Sequence, residues 1–159
     1  MTLLAMTGTG TTGMPRAEAF LRAGEQWLLA DEPAEAEAGF RCAMADGGPA
    51  FADPRIPLAR ALFQLGRQSE AQALISEVKA EGPGDPQTCD LVAELLVERD
   101  DLAGALDWAP AGVELCLADR EQRRDGDESE FRLLLRLRYR IRNDLGLPED
   151  KYDAMLDDA

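Results

Sequence analysis

The residue types that most often carry chemistry are thinly supplied in this sequence. The 159 residues include no histidine and three cysteines, Cys42, Cys89 and Cys116, which lie far apart with no Cys-x-x-Cys pair. The commonest general base is therefore missing, and neither a disulfide framework nor a conventional zinc site is suggested. The cysteines read as small apolar side chains in a reducing compartment. No Asp/Glu pair stands out from the general acidity to supply the split pKa values that acid–base catalysis uses. Asp125-Gly-Asp-Glu-Ser-Glu130 shares some features with a calcium loop, but its glycine comes second rather than sixth, and Arg136 stands where the bidentate acid is needed. It reads as a solvated linker. Thr7-Gly-Thr-Gly-Thr-Thr-Gly13 would cradle phosphate only after a strand and before a Gly-Lys-Ser/Thr ending, and both are absent. The expectation is a protein without catalytic residues, metal or cofactor, and not an enzyme.

What remains is charge and its placement. The net charge is −14, from 31 acids against 17 bases. Residues 1–119 hold 8 bases and 20 acids, 120–142 hold 8 bases and 5 acids, and 143–159 hold 1 base and 6 acids. Over most of the surface this argues against nucleic acid or an anionic membrane and favours a basic or neutral partner. The opening Met1 to Gly13 lacks the basic start and long apolar run of a secretory signal, and no stretch approaches the roughly 20 apolar residues that span a bilayer. A cytoplasmic protein is expected.

The elements that must position these charges are helices. From Pro15 onward apolar residues recur at three and four, and strand-like alternation is not sustained anywhere. Three starts carry an acid followed by proline, Glu32-Pro33, Asp53-Pro54 and Asp85-Pro86. There a carboxylate can accept from free N–H groups while proline takes the first turn. Stops are marked by Gly47-Gly48, Gly66, Gly82-Pro83-Gly84 and Gly146-Leu147-Pro148. This predicts helices over 15–30, 33–46, 54–65, 68–80, 86–98, 102–119 and 129–145. The first six form three hairpins and the seventh follows them.

Aligning the second helix of each hairpin brings Glu35-Ala36, Glu70-Ala71 and Gly104-Ala105 into register, at intervals of 35 and 34 residues. Such a period marks a solenoid of helix hairpins, because no single unit can bury its apolar face alone. Small and bulky residues recur with it. They are Phe20, Gly24, Trp27, Ala36, Phe40 and Ala43 in the first unit, then Leu58, Ala59, Leu62, Ala71, Ile75 and Pro83 in the second. The third has Val92, Ala93, Leu96, Ala105, Ala109 and Gly112. Over about residues 17 to 118 the chain resembles a tetratricopeptide repeat protein. It departs from the pattern at Arg55 and Cys89, where a large aromatic is preferred, and at Pro110, which should bend or break the sixth helix.

The resemblance implies an all-α, right-handed superhelix of three such hairpins with a C-terminal capping helix, and a protein–protein interaction module as its function. With the Gly/Thr-rich start and the acidic ending, the expected organisation is a flexible tail over 1–14, a helical domain over 15–145 that ends in the capping helix 129–145, and an acidic tail over 146–159. In such a scaffold the first helix of each hairpin lines the concave face. The candidate partner-binding residues are then Glu18, Leu21, Glu25 and Leu28; Asp53, Ile56, Arg60 and Phe63; and Gln87, Asp90, Glu94, Val97 and Glu98. A protein or peptide segment with spaced basic residues and a few apolar anchors would complement this acidic groove. Self-association through an exposed end of the solenoid would also fit. The places at which tetratricopeptide co-chaperones grip a C-terminal carboxylate fall here on Leu21, Glu25, Pro57, Gln87 and Asp90, none of them a cation. Carboxylate clamping is therefore not expected.

The seventh helix carries five arginines, Arg132, Arg136, Arg138, Arg140 and Arg142, and no acid between Phe131 and Asn143. On a helical wheel Leu134, Leu137, Ile141 and Leu145 make one apolar face, with Arg132, Arg136 and Arg140 in a stripe away from it. It reads first as a cap whose arginines pair with the acidic body. Two alternatives are a plug of the chain's own groove and an accessory factor that offers its arginines to nucleic acid. The residues after it, with Tyr152, Met155 and Leu156, fit a short last helix or a loose tail.

Overall fold

A computed structural model describes residues 14–82, 84–122 and 128–157. Among these the secondary structure is helical throughout, with no strand. The helices are α1 (Arg16–Leu29), α2 (Pro33–Asp46), α3 (Arg55–Gln64), α4 (Gln68–Glu81), α5 (Pro86–Glu98), α6 (Leu102–Gln122) and α7 (Glu128–Asp144), followed by a short 3-10 helix over Asp153–Leu156. The Thr7–Gly13 stretch, Pro83 and residues 125–127 of the Asp125–Glu130 segment lie outside the described residues. By its internal contacts the chain falls into two compact units, residues 1–81 and 82–159.

The predicted boundaries hold to within a few residues, and the reasons are visible at the ends. Asp85 accepts from the Thr88 N–H at 2.8 Å and Asp53 from the Arg55 N–H at 2.9 Å, so both carboxylates satisfy free donors. Glu32 does not act this way, because its longer side chain makes no capping bond. The three hairpin turns share one hydrogen-bond pattern. The N–H groups of Glu32, Arg67 and Asp101 donate back to the carbonyls of Trp27, Leu62 and Leu96, across a residue in the left-handed region. That residue is Gly66 in the second turn but Asp31 and Asp100, at φ near 60°, in the first and third. Aspartate tolerates the conformation better than most residues, which is why no glycine marked those two stops. Pro110 lies inside α6, which continues through it rather than breaking.

In the first unit α1 packs on α2, α2 on α3, and α3 on α4. The core is Leu21, Ala36, Phe40, Leu58, Ala59, Leu62 and Ala71, all fully buried. The helices α1 and α2 come together closely at Gly24 and Gly39. A Cβ added at Gly39 would come within 3.1 Å of the Gly24 Cα, and one at Gly24 within 2.5 Å of the Phe40 ring. Phe40 thus occupies the volume that a side chain at Gly24 would need.

In the second unit α5, α6 and α7 pack against one another, and the 3-10 helix packs on α7. Gly112 of α6 lies against both of the other helices. An added Cβ there would sit 2.8 Å from both the Cys89 Cβ and a Leu134 methyl. The α7 face buried here is Phe131, Leu134, Leu135, Leu137, Arg138 and Ile141. Two residues therefore correct the wheel. Leu145 is 39% exposed because α7 ends at Asp144 and the chain leaves the helical register there. Arg138 is buried, with 4% of its surface exposed.

Candidate partner-binding faces

In the first unit the candidate charges are largely answered by cations of the same unit. Glu18 accepts from the Arg22 guanidinium at 2.8 and 3.0 Å. Burial pushes the Glu25 carboxyl up, against the pull of Arg22 and Arg60, so the structure brings Glu25 of α1 and Arg60 of α3 within electrostatic reach. Burial would also raise Asp53, but the hydrogen bonds from Arg55 outweigh it and hold this carboxyl below its usual range. Arg55 forks between Glu81 and Asp53 at 2.7 Å each, and these bonds drive its own pKa further up. Among the apolar candidates Leu21, Ile56 and Phe63 are buried and belong to the core, while Leu28 is half-buried. Sequence reasoning missed Phe51, which is exposed with the Arg22 guanidinium 5.3 Å from its ring centre. It lies between helices, where no periodicity singles it out.

In the second unit the acids of α5 are answered differently. Gln87, Glu94 and Glu98 are exposed, and Asp90 and Val97 are half-buried. Burial pushes the Asp90 carboxyl up to about 6, helped by repulsion from Glu130 of α7 and Glu94. Its Oδ1 is buried with no hydrogen-bond partner. Neither Asp90 nor Glu94 meets a cation among the described residues. Next to Asp90 in sequence, burial and then the nearby Asp85 push the Cys89 thiol up to about 12, which keeps it protonated and a poor nucleophile. Among the described residues no cluster of three or more His, Cys, Asp or Glu is arranged to hold a metal ion, and no helix is long and apolar enough to cross a membrane.

The five arginines of α7 divide into two groups. Arg138 makes a bidentate ion pair with Asp150 and reaches Asp153 at 3.2 Å, with its guanidinium 4.7 Å from the Tyr152 ring. Arg142 donates to the Pro148 carbonyl at 2.9 Å and sits 3.6 Å from Asp150. These two fasten the returning C-terminal segment to α7, so of the two readings for residues 146–157 a short last helix is what forms. The Asp150 carboxyl is lowered to about 2, chiefly by the Arg138 hydrogen bonds. Arg132, Arg136 and Arg140 point outward and make no ion pair among the described residues. The basic surface expected from five arginines is therefore built on three. Nor do these arginines enter the acidic face of α5, since the α7 charge that reaches Asp90 is Glu130.

The sequence placed most of the charged candidates on solvent-facing positions, because period and register suffice for that. Which acids acquire a cation depends on contacts such as Arg55 with Glu81, 26 residues apart, and no local pattern encodes them. No protein-family model matches the chain, and no curated protein and no solved structure is significantly similar to it.

Proposed function

We propose that the chain is a tetratricopeptide-like interaction module, a right-handed superhelix of three hairpins capped by α7, which holds a basic protein segment on its acidic face. Support for the repeat comes from the hairpin turns. The same backbone bond recurs at Glu32, Arg67 and Asp101, at the 35- and 34-residue intervals of the sequence period. The observation that carries the binding reading is the α5 face. Leaving Asp90 half-buried and uncompensated beside Glu94 and Glu130 costs stability, and a cation supplied by a partner would remove that cost. In the first unit the corresponding acids already have arginines, so the second unit should dominate recognition. The nucleic-acid reading of the arginine helix loses Arg138 and Arg142 to the C-terminal segment.

The test is fluorescence anisotropy with a labelled peptide that carries arginines at four-residue spacing and two leucines. The double variant Asp90→Asn/Glu94→Gln should weaken binding by about tenfold or more, whereas Glu18→Gln/Asp53→Asn should change it little. Absence of binding to the unmodified chain, or equal loss in both variants, would reject the reading.

A further inference from the structure

Two helices of the second unit carry the same surface pattern with opposite charge. On α7, Arg132, Arg136 and Arg140 recur every four residues, flanked by Leu133 one residue after the first arginine and Tyr139 one residue before the last. On α5, Asp90, Glu94 and Glu98 recur every four residues, flanked in the same places by Leu91 and Val97; Glu98 already has a partner within the chain, so Asp90 and Glu94 are the acids open to pairing. Four residues of helix rise about 6 Å, so the two stripes have the same repeat and nearly the same angular spread. The arginines face solvent without an ion pair among the described residues, in a unit where Arg120, Arg138 and Arg142 each have an acid within 4 Å. Leu133 and Tyr139 are 52% and 38% exposed, so among the described residues the stripe also carries uncovered apolar surface. The α7 stripe cannot satisfy the α5 stripe of its own chain, because α7 packs on α5 and α6 with its opposite side, through Phe131, Leu134 and Ile141.

We propose that two copies of this chain pair through these faces, with α7 of one copy lying along α5 of the other. The outer face of α7 has the chemistry argued above for the ligand of the acidic face, a helix with spaced arginines and apolar anchors, so the inference rests on that reading and names the partner. A reciprocal arrangement would use each stripe once per chain, giving a closed two-fold dimer. Burying Leu133 and Tyr139 against Leu91 and Val97 would hold the complex, while the charges would set register and make it sensitive to salt.

Light scattering after size exclusion, at low and high salt, tests this directly. The unmodified chain should run at twice its own mass at low salt and shift toward the monomer at high salt. The triple variant Arg132→Glu/Arg136→Glu/Arg140→Glu should be monomeric, and at high salt, where the unmodified chain is also monomeric, the two should melt at the same temperature, since none of the three side chains is buried. Arg136→Glu and Glu94→Arg should each weaken self-association about tenfold, and mixing them should restore a dimer because each supplies the charge that the other lacks. A chain that stays monomeric at low salt, a dimer that survives the triple reversal, or a mixture that fails to recover would each overturn the proposal. Monomers that still bind the basic peptide at Asp90 and Glu94 would overturn the pairing alone. Monomers that do not bind it would overturn both readings.

Discussion

The two units treat their charges in different ways. In the first, arginines lie next to acids at helical spacing or across neighbouring helices. Arg22 pairs with Glu18, Arg41 with Glu37, Arg67 with Glu37 and Glu70, and Arg55 with Asp53 and Glu81. In the second, among the described residues, Asp90 and Glu94 of α5 have no cation and Arg132, Arg136 and Arg140 of α7 have no acid, while Arg120 pairs with Glu128 and Arg138 and Arg142 fasten the C-terminal segment. A unit with its charges matched at home has little electrostatic free energy to gain from a partner. A unit with its charges segregated has more, and it bears the cost of keeping like charges together until the partner arrives.

The sharpest break in this comparison is expected at Arg138. Its removal in Arg138→Ala leaves the half-buried Asp153 without its cation and Asp150 with only the more distant Arg142. That should cost about 3 kcal/mol of stability in chemical denaturation, together with loss of protection of residues 146–157 in hydrogen exchange. The same contact gives a pH signature. Because the Asp150 carboxyl is lowered in the folded state to about 2, the stability it adds is complete above the ordinary aspartate range and is lost as pH falls toward 2. Hydrogen exchange at moderately acid pH should find this segment still docked.

Next in size are the close crossings. Gly24→Ala in the first unit and Gly112→Ala in the second should each cost about 1–3 kcal/mol, since the new methyl meets the fully buried Phe40 ring in one case and Cys89 and Leu134 in the other. Ala36→Leu adds bulk at a fully buried position and should lower stability in thermal melts by a similar amount. If Gly112→Ala proved neutral, the packing of α7 against α5 and α6 would be looser than the geometry requires.

A smaller effect of opposite sign is expected at Asp90. Its folded pKa is raised to about 6, so the charged form is disfavoured by folding, and stability is complete below the unfolded value near 4 and declines as pH rises through 6. Asp90→Asn should therefore stabilise the protein at neutral pH by about 1–2 kcal/mol, allowing for solvent screening, and should give no such gain below pH 4. The variant would then be more stable and bind the basic peptide less well, which is how a residue kept for recognition differs from one kept for folding. The smallest effect belongs to the matched pairs of the first unit. Glu18→Gln removes an exposed helical ion pair with Arg22 and should move the denaturation midpoint by the equivalent of at most about 0.5 kcal/mol. A loss as large as that at Arg138 would erase the distinction between the units.

Much of this molecule follows from local chemistry. Apolar spacing of three and four, prolines in the first turn and glycines at Gly47, Gly66, Gly82 and Gly146 determined the seven helices and nearly all their ends, because helix formation and termination depend on residues a few positions apart. The sequence also determined that α7 is amphipathic and that α5 carries its acids on one face. Tertiary structure alone decided that Gly39 closes on Gly24, that Leu21, Ile56 and Phe63 go to the core, and that Arg138 turns inward. It also decided which acids remain without a cation. These outcomes depend on distances between residues remote in sequence, where burial and pairing energies of opposite sign nearly cancel, so they are set only when the helices have packed.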